Sequence, residues 1–212
     1  MQVKLIDTPQ DPVRLAFVHI WHKRPGMKNN DGSTSPDKFE TTAILKPGGA
    51  NEKRVKDAIA EVAQEAYGDN WATMYKEEFA DDQRGLRKGN LKKSNDGVVY
   101  DGFEGNVYVC ARNVKRPTIV DRDRTPLTEE DGRPYAGCYG TVHIDVWALT
   151  KRGVKKRIVT DLTGIQFTRD GDAFGGGSVP AKPDDFEDLA VGDDDDTGGG
   201  QLVDADDDDP FA

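Results

Sequence analysis

Two runs, TVHIDVWAL (141–149) and VKKRIVTDLTGIQF (154–167), are dense in β-branched and aromatic residues, and a Lys151-Arg152-Gly153 turn joins them. That arrangement reads as a β-hairpin. It constrains the fold more than any other stretch, because the two longest strands must be antiparallel neighbours. Similar composition recurs in VRLAFVHIW (13–21), FETTAILK (39–46), VVY (98–100) and NVYVCARN (106–113). After the Pro47-Gly48-Gly49 break the period changes, and Val55, Ala58, Ile59, Val62, Ala63 and Ala66 follow helical spacing with charges on the other face. Gly68 ends that helix, and Asp69 starts a short second one carrying Trp71, Met74, Tyr75 and Phe79. Strands and hairpins with a helical insertion at about 51–80, and no regular strand–helix–strand alternation, predict a mainly β (α+β) domain, an OB-like β-barrel.

The charge is unevenly placed. Residues 184–212 hold twelve Asp and one Glu with no Lys or Arg, a charge of −13, whereas the whole chain is −10. Residues 1–183 are therefore mildly basic at +3, and the overall pI of 4.8 describes neither part. A segment this acidic and this poor in apolar residues cannot bury enough surface to order itself. The expected organisation is one domain at 1–177, closed by GDAFGGG (171–177), and a disordered acidic tail at 178–212. A basic body points to nucleic acid or a membrane surface as partner. No run of 18 apolar residues is present to span a membrane, and MQVKLIDTPQDP lacks the apolar stretch of a secretory signal.

Catalytic and metal motifs are missing. His19 and His22 are three apart, which on a strand turns them to opposite faces, and Cys110 and Cys138 are distant. That spacing makes neither a zinc site nor a disulfide framework, so a reduced, intracellular setting is expected. The aspartate blocks lack the defined offsets of a calcium loop. There is no GxSxG, no Walker lysine and no HExxH. The chain reads as a non-enzyme without metal or cofactor, with a magnesium-dependent nuclease or a protein-interaction adaptor as the alternatives.

A basic stretch carries the positive signal. Between Arg84 and Arg124, ten basic residues stand against five acidic ones, interleaved with aromatic rings. Single strands are held by cationic grooves that follow the phosphates and by aromatic faces that stack on bases. The candidate phosphate contacts are Arg84, Arg87, Lys88, Lys92, Lys93, Arg112, Lys115, Arg116, Arg122 and Arg124. The stacking candidates are Tyr100, Phe103, Tyr108, Tyr135, Tyr139 and Trp147, some of which must be core instead. Tyr108 shares a strand face with Arg112, opposite Val107 and Val109, which marks it as the better stacking ring.

The chain finishes DADDDDPFA (204–212), an acidic string with an apolar tip. Such a tip fits a hydrophobic pocket rimmed with Lys and Arg, and it can fold back on a basic groove. An acidic end reading DDDDPF resembles the tails of bacterial and phage single-stranded DNA-binding proteins. YAGCYGTVHIDVWAL (135–149) followed by LTGIQFTRDGDAFGGG (162–177) resembles the OB-fold single-stranded DNA-binding family of tailed bacteriophages, and the likeness spans most of residues 10–177. One departure is Ala212 after Phe211, since in bacterial relatives the phenylalanine is usually terminal. The resemblance implies a protein that coats single-stranded DNA with little sequence preference during replication, recombination and repair in the cytoplasm of the infected bacterial host. It also implies that Asp206, Asp207, Asp208, Asp209, Pro210 and Phe211 recruit replication proteins such as a polymerase or helicase.

Overall fold

The computed structural model describes residues 1–28 and 32–175. Five strands, β2 (Val13–Arg24), β3 (Lys38–Leu45), β5 (Val107–Asn113), β7 (Tyr139–Leu149) and β8 (Arg157–Arg169), run antiparallel in the order β5-β3-β2-β7-β8. Side chains join the two ends of that order. Thr160 Oγ1 on β8 donates to the Cys110 carbonyl on β5 at 2.6 Å, and Asn113 Nδ2 donates to the Leu162 carbonyl at 3.0 Å. The sheet therefore curls into a barrel, as the strand pattern anticipates. Leu15, Ala43, Val109, Val142, Ile144, Leu162 and Phe167 fill its core.

The helical insertion is α1 (Ala50–Tyr67) and α2 (Trp71–Glu77). α1 buries Val55, Ala58, Ile59, Val62 and Ala63 in the barrel core, the face its period marks out. Its first turn is tied down by Asn51, which exchanges hydrogen bonds with the Ile6 backbone at 2.8 Å.

Three short strands escape the sequence pattern. β1 (Gln2–Leu5) pairs with β7 and sends Val3 and Leu5 into the core. β4 (Leu86–Lys88) lies on β5, within the span that reads as a basic loop. β6 (Thr118–Val120) runs parallel to β8. Each has only three or four residues, too few for a periodic signal. VVY is corrected the other way: Val99 makes one isolated bridge to Lys93, Val98 is exposed, and no strand forms there. The hairpin forms with a longer connection than the turn suggests. Pairing ends at Leu149 and Arg157, which leaves Lys155 and Lys156 in the loop.

The barrel also carries a second apolar cluster, made by Ala16, Ile44, Phe103, Tyr108 and Cys110, with Phe17, Val99 and Phe174 packed on it. Ile44 and Tyr108 alternate with Ala43 and Val109, which belong to the core, so this cluster lies on the outer face. The segment after β8 folds back here too. The Phe174 amide donates to the Ala136 carbonyl at 3.0 Å, and Arg14 reaches the Asp172 carbonyl at 2.7 Å. Gly137, at φ 112°, makes this possible, because a Cβ there would collide with the Asp172 carbonyl. That contact joins YAGCYG to GDAF in the fold.

Candidate nucleic-acid interface

The outer face of β2, β3 and β5 divides in two. Phe103 and its neighbours seal one half. The other half is polar and open, and β-register builds it: Glu40 on β3 stands opposite Arg112 on β5 and His19 on β2. The Glu40 carboxylate is almost fully buried, 3.3 Å from Arg24 Nη1 and 3.0 Å from Arg112 Nε. Burying a carboxylate alone is costly. Two guanidiniums offset that cost and are themselves held at fixed points, each a little under half exposed.

Around this triad lies a cavity of about 540 Å³, lined by Arg24, Lys28, Lys38, Arg112 and Arg157 with Glu40 and Asp82. It runs into a recess of about 270 Å³ that shares Lys38, Asp82, Arg112 and Arg157 and adds Arg87, Asp161 and Trp147. The two form one cleft, bordered by the described part of the β2–β3 connection and by the base of the β7–β8 hairpin. Beyond the lining of the cleft, the hairpin tip carries Lys151, Arg152, Lys155 and Lys156, all exposed, with no acidic residue between 150 and 160. A concave surface with such an excess of cations focuses its field outward and concentrates polyanions. Trp147 is 37% exposed, and its Nε1 donates to Asp161 at 2.9 Å, which fixes an aromatic surface beside the cations.

Of the residues singled out from sequence, the fold brings Arg87, Arg112 and Trp147 into this cleft. Lys88 ends β4 and is exposed, and Lys92 and Lys93 lie on the following loop, with Lys92 Nζ 4.6 Å from the centre of the Phe17 ring. Arg84 is taken up locally, donating to the carbonyls of Phe79 and Lys76. Lys115 and Arg116 are exposed past β5, Arg116 over Trp21, and Arg122 and Arg124 flank Asp121 and Asp123 in the loop after β6. Arg122 lies over the Phe167 ring.

Two of the rings need correction as stacking surfaces. Phe103 is 1% exposed and Tyr108 4%. Tyr108 does lie opposite the core residue Val109, as alternation requires, but that outer face is covered by Phe103, whose ring meets Tyr108 edge-on at 5.2 Å. Burial pushes the Tyr108 phenol up in pKa, with Arg87 pulling it the other way. Tyr139 is partly buried with guanidinium over its ring, Arg169 at 3.4 Å and Arg14 at 5.8 Å. Tyr135 is pinned through its hydroxyl, which donates to the Gly171 carbonyl at 2.9 Å. Tyr100 remains 39% exposed.

Arg24, Lys28, Lys38 and Arg157 line the cleft without standing among the candidates singled out from sequence. The KRGVKKR run (151–157) was a legible signal for the hairpin tip and Arg157. Arg24 and Lys38 carried none, since only the β2–β3 register, where they pair, sets them beside Arg112. Asp206–Phe211 lie outside the described residues.

Comparison with known proteins gives consistent results. The family described as "Enterobacter phage Enc34, ssDNA-binding protein" matches residues 4–197. Protein p50 of Acyrthosiphon pisum secondary endosymbiont phage 1 is 34% identical over 173 residues, spanning 77% of this chain and 92% of that protein. Among solved structures, the single-stranded DNA-binding protein of bacteriophage Enc34 in complex with ssDNA aligns at a TM-score of 0.62 and 20% identity. That alignment covers 82% of this chain and 89% of that one. The single-stranded DNA-binding protein encoded by bacteriophage T7 aligns at 0.50 and 13% identity, over 96% and 99% of the respective chains. At such identities these likenesses speak for the fold, a mainly β barrel with two helices.

Proposed function

The chain belongs to the phage single-stranded-DNA-binding family described from Enterobacter phage Enc34, and we propose that it coats exposed single strands with little sequence preference during phage DNA replication, recombination and repair. As a member of that family it is a DNA-binding protein and not an enzyme. The observation that carries the finer reading is the cleft. Five cations, Arg24, Lys28, Lys38, Arg112 and Arg157, face two carboxylates across one cavity, with the exposed Trp147 in the recess that continues it. Cations that follow phosphates and a ring that accepts any base are the chemistry of sequence-tolerant single-strand binding. The cations of the 84–124 stretch outside the cleft, Lys88, Lys92, Lys93, Lys115, Arg116, Arg122 and Arg124, are further phosphate contacts in this reading.

In this reading residues 1–177 are the DNA-binding domain and 178–212 an acidic tail, acting in the cytoplasm of the infected bacterial host. The tail competes with DNA for the cleft and recruits replication proteins through Asp206–Phe211. The test is a titration of the full chain with labelled oligo-dT and with duplex at several salt concentrations, repeated after deletion of 184–212. Single strands should bind better than duplex and more weakly as salt rises, and the deletion should tighten binding most at low salt. Affinity indifferent to salt, or greater for duplex, refutes the assignment. An unchanged affinity after deletion reduces the tail to a solubilising segment.

A further inference from the structure

At the far end of the outer sheet face lies a different recess. It has a volume of about 390 Å³ and is lined mainly by Phe17, Tyr100, Phe103 and Phe174, with His19 and Asp101. Phe17 and Tyr100 meet edge to face at 5.2 Å and 89°. Phe174 reaches the recess because Gly102, at φ 78°, has no side chain; a Cβ there would stand 2.7 Å from the Phe174 ring. Lys92 Nζ sits 4.6 Å from the Phe17 ring centre, and the Arg14 guanidinium 4.1 Å from that of Phe174.

Phe17 holds an unusual backbone, with φ 50°. It falls in a bulge of β2, where Phe17 and Val18 together face Thr41, between the pairs Ala16–Thr42 and His19–Glu40. Bulges re-aim side chains, and a bulky residue in the left-handed region is strained in a way that gathers at functional sites. Here the strain turns an aromatic ring toward the recess instead of burying it in the barrel.

We propose that this recess captures one unstacked nucleobase of the single strand that the cationic cleft holds, an inference that rests on the function proposed above. Three features select a nucleotide as occupant. The recess joins the cleft across a single residue pair, since His19 lines it and stands opposite Glu40 of the cleft triad. Its walls are aromatic while cations lie against its rings, matching a base attached to a phosphate. The distance along β2 from Phe17 to Arg24 is roughly 20 Å at the usual strand rise, a span of several nucleotides. The base would enter against Tyr100 and Phe17, with Lys92 facing its phosphate.

The experiment uses the full chain and an oligo-dT cut to the shortest length that keeps full affinity, so that one register dominates; it carries one 2-aminopurine walked along its length, read by protection from a soluble quencher. One position should be protected in the wild type. Tyr100→Ala should abolish that protection and weaken binding roughly five- to a hundredfold, the range for one lost stack. Tyr100→Phe should restore both, and an abasic site at the protected position should make wild type and Tyr100→Ala bind alike. Wild type that does not bind oligo-dT at all overturns the function itself. Wild type that binds, with Tyr100→Ala equal to it in affinity and protection, overturns the base pocket alone. Displacement at Tyr100 by a peptide of residues 204–212, with no loss of DNA affinity in Tyr100→Ala, assigns the recess to the chain's own tail and overturns the proposal.

Discussion

Lys38 and Arg157 offer the cleanest test of the cleft. Both line its two recesses, and neither forms an ion pair with a carboxylate among the described residues, whereas Arg24 and Arg112 share Glu40. Replacing both, Lys38→Ala with Arg157→Ala, therefore removes charge without leaving a buried carboxylate unpaired. If each neutralises one phosphate, the log–log salt slope of oligo-dT binding should become shallower by about 1.4, at about 0.7 per phosphate on a single strand. A pair of unit charges about 4 Å apart in water gains about 1 kcal/mol. Losing two such contacts costs about 2 kcal/mol, or roughly thirtyfold in Kd. Fluorescence anisotropy of labelled dT across a salt series reads both quantities. A double variant outside the cleft, Lys4→Ala with Lys53→Ala, removes the same charge from exposed positions on β1 and α1. It should leave the slope unchanged. Equal shifts in the two double variants would mean that overall charge, and not this cleft, governs binding, and the assignment of the cleft would fall.

Trp147→Ala should lose about 1–3 kcal/mol of oligo-dT affinity while leaving the salt slope alone, and an altered slope in the same titration would count against a stacking role. Phe103→Ala removes a ring that is 1% exposed and packs against Phe17, Tyr100 and Tyr108. It should destabilise the protein by about 3–5 kcal/mol in urea unfolding. Alkaline stability follows from Cys138 and Tyr75, whose groups burial pushes up to about 12 from 9.0 and 10.0. Between pH 9 and 12 the folded state keeps protons that the unfolded chain releases, so stability falls as pH rises through that window. Urea midpoints from pH 8 to 11 should decline, and the decline should be shallower in Cys138→Ala, whatever the offset in stability at pH 8.

Local sequence determines what depends only on near neighbours. The β-branched alternation of 107–113 and 141–149, the helical period of 55–66 and the turn between two strand runs each arise within a few residues. The corresponding elements form where the pattern places them. The charge of −13 over 184–212 is likewise a matter of local composition alone. Tertiary structure decides which face of a strand meets solvent. Alternation sorted Tyr108 from Val107 and Val109, but a second cluster, closed by Phe103 from a loop, covers the outer face as well. Periodicity reports two faces and cannot say whether both are buried. The cleft is non-local for the same reason. Arg24, Lys38, Arg112 and Arg157 lie on four different strands. Only the β2–β3–β5 register, the approach of β8 to β5 and the buried Glu40 between two guanidiniums bring their charges to one place.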